Sequence, residues 1–204
     1  MRAVVTGGSG GIGLEVVKEL RARDWEATSL SRREGTDVSI EKDVLDAFGR
    51  FKSLDALIHC AQVLIKRPLT RMSVEDWDQQ IGSGLRGAFL SSREAFKLMR
   101  RRGGSIVMVS SLSGVFGAEK FTGMAAYVAA KSGLAGLTEV LAVEGREHGI
   151  RVNAISPGSV DTPMLRIAGV TGPRLRPAEV ARIIAWLASP ESAPLSGANL
   201  RLEP

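Results

Sequence analysis

The chain reads as a single α/β domain: one doubly wound, mostly parallel sheet of about six strands, with one early strand-and-helix unit reduced or absent. Three observations carry this. Short apolar runs alternate with helical stripes along the whole chain, the signature of strands joined by crossover helices. The first run stops at a glycine cluster that opens a helix, TGGSGGIG at Thr6–Gly13. The 204 residues are 44% hydrophobic but only 5% aromatic, which suits one domain with a sizeable core of Val, Ile, Leu and Ala.

Residues 2–6, RAVVT, form a short apolar run that ends at the glycines, as a buried parallel strand does. Between Ile12 and Arg23, the residues Ile12, Val16, Val17 and Leu20 make a helical stripe. WEATSL (25–30) reads as a second strand. Ser39 is the N-cap candidate of a helix with Ile40, Val44, Leu45 and Phe48 at helical spacing. LDALIHC (54–60) is a third strand, and Ser73 caps a long helix running to about Met99. GSIVMVS (104–110) is a strand, Ala125 to about Glu147 a helix, and IRVNAI (150–155) a strand. Pro177 suits the first turn of a last helix, with Val180, Ile183, Ile184 and Leu187 on one face. ANLRLE (198–203) closes the sheet.

Only residues 31–36 separate Leu30 from the Asp37-Val38 pair. A parallel crossover needs about 10–12 residues, so a unit is missing there. No linker, repeat or low-complexity tract divides the chain, and 1–204 reads as one domain. The net charge of +5 comes from 27 Lys and Arg interspersed with 22 Asp and Glu. Such a mixed surface is solvated rather than built for nucleic acid. No stretch approaches the roughly 18 apolar residues of a membrane span, and MRAVVTGG turns polar too early for a signal segment. The single Cys60 suits a reducing compartment. The expectation is a cytoplasmic protein without nucleic-acid or membrane partners. No His, Cys and acid cluster suggests a metal.

The glycine loop fits two registers: G-x-G-x-x-G through Gly8, Gly10 and Gly13, and T-G-x-x-x-G-x-G through Thr6, Gly7, Gly11 and Gly13. Either places a tight turn between a strand and a helix N-terminus, where backbone N–H groups meet a pyrophosphate.

Residues downstream favour the second register. YVAAK (127–131) lies on a predicted helix, and Ser110-Ser111 ends the strand before it. With these motifs the chain resembles the short-chain dehydrogenase/reductase family, in the family's order and over almost the whole chain. Asp37-Val38 matches its adenine-side D-V pair, LDALIHCAQ its L-D-x-L-V-N-N-A-G, GGSIVMVSSLSG its serine strand and NAISPGSVDTPM its P-G loop. The resemblance implies a Rossmann-like fold and a homodimer or homotetramer paired through the helices at 73–99 and 125–147. It implies a small carbonyl or alcohol substrate, with a cofactor held by Gly7, Ser9, Gly11, Ile12, Gly13, Asp37, Val38, Ala61, Lys131, Pro157, Gly158 and Thr162.

The chemistry has its own logic. Tyr127 and Lys131 are four apart and share a helix face. A phenol with a pKa near 10 is a poor proton shuttle at neutral pH, and an adjacent ammonium favours the phenolate. Tyr127 then gives a proton to a carbonyl as hydride arrives, or takes one in reverse. By the family pattern, Ser111 holds the carbonyl oxygen, since Ser111-Leu112-Ser113-Gly114 matches S-x-x-G. The competing reading of Tyr127 and Lys131 is a buried tyrosine and a snorkelling lysine.

An NAD-binding loop carries an acid about 20 residues past the glycines. Here Ser31-Arg32-Arg33 follows the second strand with no acid at its end. Guanidinium groups suit a 2′-phosphate, so NADP is the first choice and NAD the second; two solvated arginines are the alternative. The chain also departs from the family. Gly84 stands on the asparagine that holds a relay water, and Gln62 is bulky where a glycine lets the cofactor pass. Gly82, Gly84 and Gly87 weaken their helix. His59 reads as a strand-end hydrogen-bonding residue and Cys60 as packing. A reductase-like scaffold without turnover, serving as a nucleotide-binding or interaction subunit, is therefore the second functional expectation.

Overall fold

The computed structural model describes residues 1–203. The apolar runs become β1 (Arg2–Thr6), β2 (Glu26–Leu30), β3 (Ala56–His59), β4 (Gly104–Val109), β5 (Ile150–Pro157) and β6 (Asn199–Leu202). All are parallel, in one sheet of order β2-β1-β3-β4-β5-β6. Because side chains alternate along a strand, Ala3, Val5, Ile58, Val107 and Ile155 face one side, where α1 (Gly11–Ala22) and α7 (Pro177–Ala188) cover them. Val4, Leu57, Ile106, Met108 and Ala154 face the other, under α2 (Glu41–Phe48), α4 (Gly87–Met99) and α5 (Ala125–Gly145). Both faces are buried, which is why the strands read as nearly continuous apolar runs.

From β1 the chain passes through α1 to β2, then returns to β3 on the opposite side of β1. The carboxyl ends of β1 and β3 therefore flank a crevice where the winding reverses, the place where open α/β sheets bind ligands. The missing unit is confirmed. Residues 31–40 hold a single 3₁₀ turn, Arg32–Glu34, closed by Gly35 at φ +82, so β2 is an edge strand. Ser39 does not cap α2. Ile40 occupies the cap position, and the Ser39 backbone N–H and hydroxyl both donate to Asp37 Oδ1 at 2.9 and 2.7 Å.

The expected long helix is interrupted. Ser73 Oγ caps α3 (Val74–Ile81) by accepting from Asp76 N at 3.1 Å, and a π turn, Gly82–Arg86, joins it to α4. Three glycines within six positions supply the weak α-propensity that allows a wider turn.

Residues 125–148 are long and apolar enough to cross a membrane by length and composition, which the sequence reading overlooked. In the fold α5 lies against β5, burying Ala126, Ala130, Leu134 and Ala142, while Val140 and Val143 remain exposed. Its uniform hydrophobicity thus comes from a sheet-facing side plus an uncovered apolar side. A short α6 (Pro163–Ala168) precedes α7, and α3 packs beside α5.

Candidate active site

The glycine loop leaves β1 with Gly7 at φ +70 and reaches α1 with Gly11 at φ +52, backbone that side chains disfavour. A β-carbon on Gly7 would lie 2.8 Å from the Ala61 backbone, and one on Gly13 would strike the Gly7 peptide. Gly10 faces open space. The geometry thus demands glycine at 7, 11 and 13 but not at 10, the second register. No side chain caps α1, which leaves its first N–H groups facing a cavity of about 420 Å³.

That cavity brings together Ser9, Ile12, Asp37, Val38, Thr162 and Lys131 with these glycines and Ala61. Thr162, the N-cap of α6, places its methyl 3.5 Å from where a Gly11 β-carbon would stand. Arg32 and Arg33 also line it, and Arg33 Nη1 reaches Ser9 O at 3.4 Å. Sequence reasoning missed one group here. Glu34 folds back onto the end of β2 and accepts from the Ser29 and Ser31 hydroxyls, both at 2.6 Å. An acid does stand at that strand end, supplied through the tight 3₁₀ turn rather than by adjacency in sequence.

Pro157 and Gly158 lie apart from this group, on a second cavity of about 800 Å³. Its walls include Leu64, Leu112, Phe121, Met124 and Val170, with fully exposed Phe116 at its edge. Ser111 lines only this cavity, Lys131 only the first, and Tyr127 both. Tyr127 therefore stands at the junction.

The structure brings Ser111, Tyr127 and Lys131 together. Gly114 has no β-carbon because one would lie 2.6 Å from the Lys131 backbone, so the turn Leu112–Gly114 seats directly on α5. Ser110 Oγ donates to Lys131 O at 2.8 Å, and Ser132 Oγ to Gly114 O at 2.9 Å. Lys131 Nζ donates to Val109 O at 2.7 Å. Burial lowers the Lys131 ammonium to about 8. One expectation is corrected: the Tyr127 phenol is not depressed. Burial raises it, and the Ser111 hydroxyl opposes this only in part.

The end of β3 is a hydrogen-bond hub. His59 is fully buried, with Nδ1 2.8 Å from Thr6 Oγ1 and Nε2 2.9 Å from Gly84 O. A carbonyl only accepts, so Nε2 carries the proton and Nδ1 accepts from the threonine. Desolvation, then the Lys131 charge, lowers His59 to about 3 and keeps it neutral. Burial pushes the Cys60 thiol up to about 12, consistent with packing. Gln62 turns its side chain toward Gly84: a β-carbon there would meet Gln62 Cδ at 2.9 Å. Sequence reading placed the two departures separately; only the fold shows that they touch.

A family model described as "Enoyl-(Acyl carrier protein) reductase" matches residues 27–203. The trans-4-hydroxycyclohexanecarboxylate dehydrogenase of Sinomonas cyclohexanicum is 37% identical over 77% of the chain, a match spanning 62% of that relative's length. The acetoacetyl-CoA reductase of Allochromatium vinosum is 32% identical over 97% of the chain and 95% of its own. The 3-oxoacyl-[acyl-carrier-protein] reductase FabG of Escherichia coli is 31% identical over 98% and 94%. The crystal structure of gox2181 superposes with a TM-score of 0.86 at 27% identity, covering 99% of this chain and 93% of that one.

Proposed function

The chain belongs to the short-chain dehydrogenase/reductase family, and on that premise we propose that it is an NADP-dependent oxidoreductase interconverting a carbonyl and a secondary alcohol. The observation that carries the reading is the place of Tyr127, at the junction of a glycine-walled cavity and an apolar one, with Ser111 and Lys131 on either side.

The first cavity fits a dinucleotide: a loop with no room for a β-carbon at Gly7 or Gly13, uncapped helix N–H groups and two guanidinium groups on the cavity wall. In this reading Gly7, Ser9, Gly11, Ile12 and Gly13 hold the pyrophosphate, and Arg32 and Arg33 the 2′-phosphate. Asp37 and Val38 border the adenine, and Ala61 and Lys131 the nicotinamide ribose. Thr162, which lines both cavities, borders the nicotinamide, and Pro157 and Gly158 approach it from the second cavity. NADPH, when bound, supplies hydride to the carbonyl carbon. Ser111 Oγ–H donates to the carbonyl oxygen and fixes its position. The Tyr127 hydroxyl gives that oxygen its proton as negative charge develops, and a raised phenol pKa keeps this proton in place at neutral pH. Lys131, anchored on Val109 O, holds its ammonium beside the phenol and stabilises the phenolate left behind.

Glu34 favours NAD as the second choice, because a carboxylate at this strand end suits a ribose hydroxyl and repels a phosphate. Gly84 favours the second functional reading, a scaffold without turnover. Exposed Phe89 on α4 with Val140 and Val143 on α5 support a homodimer or homotetramer, which light scattering tests. A cytoplasmic location belongs to the same proposal.

The test is NADPH and NADH titration followed by a carbonyl panel, in which 3-oxoacyl thioesters and an oxocyclohexanecarboxylate are the first members suggested by the relatives. NADPH consumption with any member supports the reductase. Dinucleotide binding without consumption of any member supports the scaffold.

A further inference from the structure

Gln62 occupies the space that a side chain at 84 would need. Any side chain at 84 would begin inside the Gln62 amide, with Cδ 2.9 Å and Nε2 3.1 Å from its β-carbon. The amide is held in place by both its hydrogens. Nε2 donates to Val63 O at 2.7 Å and to Gln80 O at 3.1 Å. In an unbroken α-helix the Gln80 carbonyl would instead accept from the N–H of residue 84. Gln62 thus supplies a side-chain donor where the helix widens. Oε1 is buried without a partner, so the two donated bonds, rather than the oxygen, account for an amide at this position.

The π turn is stapled to the strand end by two further contacts. Ser83 Oγ accepts from Val63 N at 3.0 Å while donating to Gln79 O at 2.9 Å, and Gly84 O accepts from His59 Nε2. Its outer side presses on α5. Leu85 packs so closely on Gly133 that a β-carbon there would lie 2.8 Å from Leu85 Cδ2. Gly133 is two residues beyond Lys131 on the same helix. A continuous chain of contacts therefore runs from Gln62 through the π turn to the segment that carries Tyr127 and Lys131.

We infer that Gln62 is a positioning residue. From the end of β3 it fills the volume vacated at Gly84 and holds the π turn that seats Tyr127 and Lys131 against the sheet. The inference rests on the reductase reading. In that reading the two departures from the family are one exchange, an amide moved from the helix to the strand end, rather than two losses.

The experiment is a cycle of Gln62→Gly, Gly84→Asn and the double variant, read by melting temperature and by steady-state NADPH oxidation, together with Gln62→Glu. Gly84→Asn lowers the melting temperature by several degrees, because the new side chain meets Gln62. Gln62→Gly lowers kcat by about 10–100-fold, the scale of a misplaced catalytic group, while KM for NADPH changes by less than about 3-fold. The double variant recovers both readouts relative to either single one. Gln62→Glu keeps the shape, but its acid form donates to only one of the two carbonyl oxygens and its carboxylate to neither, so its activity lies below wild type and falls further as pH rises through its carboxyl pKa, where wild type is flat. Additive losses in the cycle, or a Gln62→Glu profile identical to wild type, would overturn the inference. If wild type oxidises no NADPH with any carbonyl, the reductase reading fails, and the melting cycle still reads the Gln62–Gly84 coupling.

Discussion

Lys131 Nζ lies 5.7 Å from the centroid of the Tyr127 ring and donates to the Val109 carbonyl at 2.7 Å. The ammonium is thus tied to the end of β4 beside the phenol. Both groups are buried, and burial acts on each in the direction that disfavours its charged form. Tyr127 is raised, so it holds its proton more firmly. The proton that a donor must give is therefore in place at neutral pH. In pre-steady-state assays the reductive step is expected to be level through neutral pH and to fall only in alkali. The oxidative step, which needs the phenolate, is expected to rise with pH. Opposite slopes would contradict the acid role of Tyr127.

Lys131 is lowered to about 8 from 10.5. Between these values the unfolded chain holds a proton that the folded chain has released. Stability therefore rises with pH across about 8 to 10.5, and the full cost of the buried ammonium is present below pH 8. That cost is on the order of 3 kcal/mol. Lys131→Met removes it but orphans the Val109 carbonyl, which costs about 1–3 kcal/mol. The variant is expected to be at least as stable as wild type at pH 7 and to lose that advantage by pH 10.5, as measured by urea unfolding. Turnover should fall all the same.

His59 is lowered to about 3 from 6.5 by burial and by the Lys131 charge. As pH falls through 6.5 the unfolded chain protonates and the folded chain does not, so stability is lost progressively down to about pH 3. The loss is on the order of 5 kcal/mol over that window. His59→Asn is expected to be less stable at pH 7, because the bonds to Thr6 and Gly84 are weakened, and to show a shallower acid slope. An unchanged slope would show that other groups drive acid unfolding.

In the proposed reading Arg32 and Arg33 select the cofactor. Replacing both with alanine is expected to weaken NADPH binding by about 10-fold or more, since a charge-assisted hydrogen bond contributes about 1.5–3 kcal/mol, and to leave NADH nearly unchanged. Glu34→Gln should strengthen NADPH binding by removing a like charge. Equal losses for both dinucleotides would assign the arginines to the loop rather than to a 2′-phosphate.

The fold was legible because its signals are local. Buried parallel strands show as apolar runs, and residues 31–36 are too few for a crossover, so the parallel sheet and the missing unit followed, while the strand order came only from the fold. The interruption of the long helix was half legible: Gly82, Gly84 and Gly87 marked a weakness, but only packing against Val38 and Gln62 decided that a π turn forms. Ser39 looked like a cap because its type is right; the Asp37 carboxylate claimed it instead. At the site, Tyr127 and Lys131 came from their spacing and Ser111 from the family resemblance, and the three do converge. Glu34 was missed because its approach to Ser29 depends on a 3₁₀ turn. The Gln62–Gly84 contact joins positions 22 apart in sequence, which no single-sequence pattern reports. The sign of the Tyr127 shift was also out of reach, since burial, which outweighs the Ser111 hydrogen bond, acts only once the helix is packed.

The most direct test of the central claim is single-turnover reduction by the NADPH-loaded protein, wild type against Tyr127→Phe, with a carbonyl that wild type accepts. Loss of the proton donor is expected to slow the chemical step by about 10²–10⁴-fold, with NADPH affinity and melting temperature close to wild type. Equal single-turnover rates for the two proteins would contradict the account.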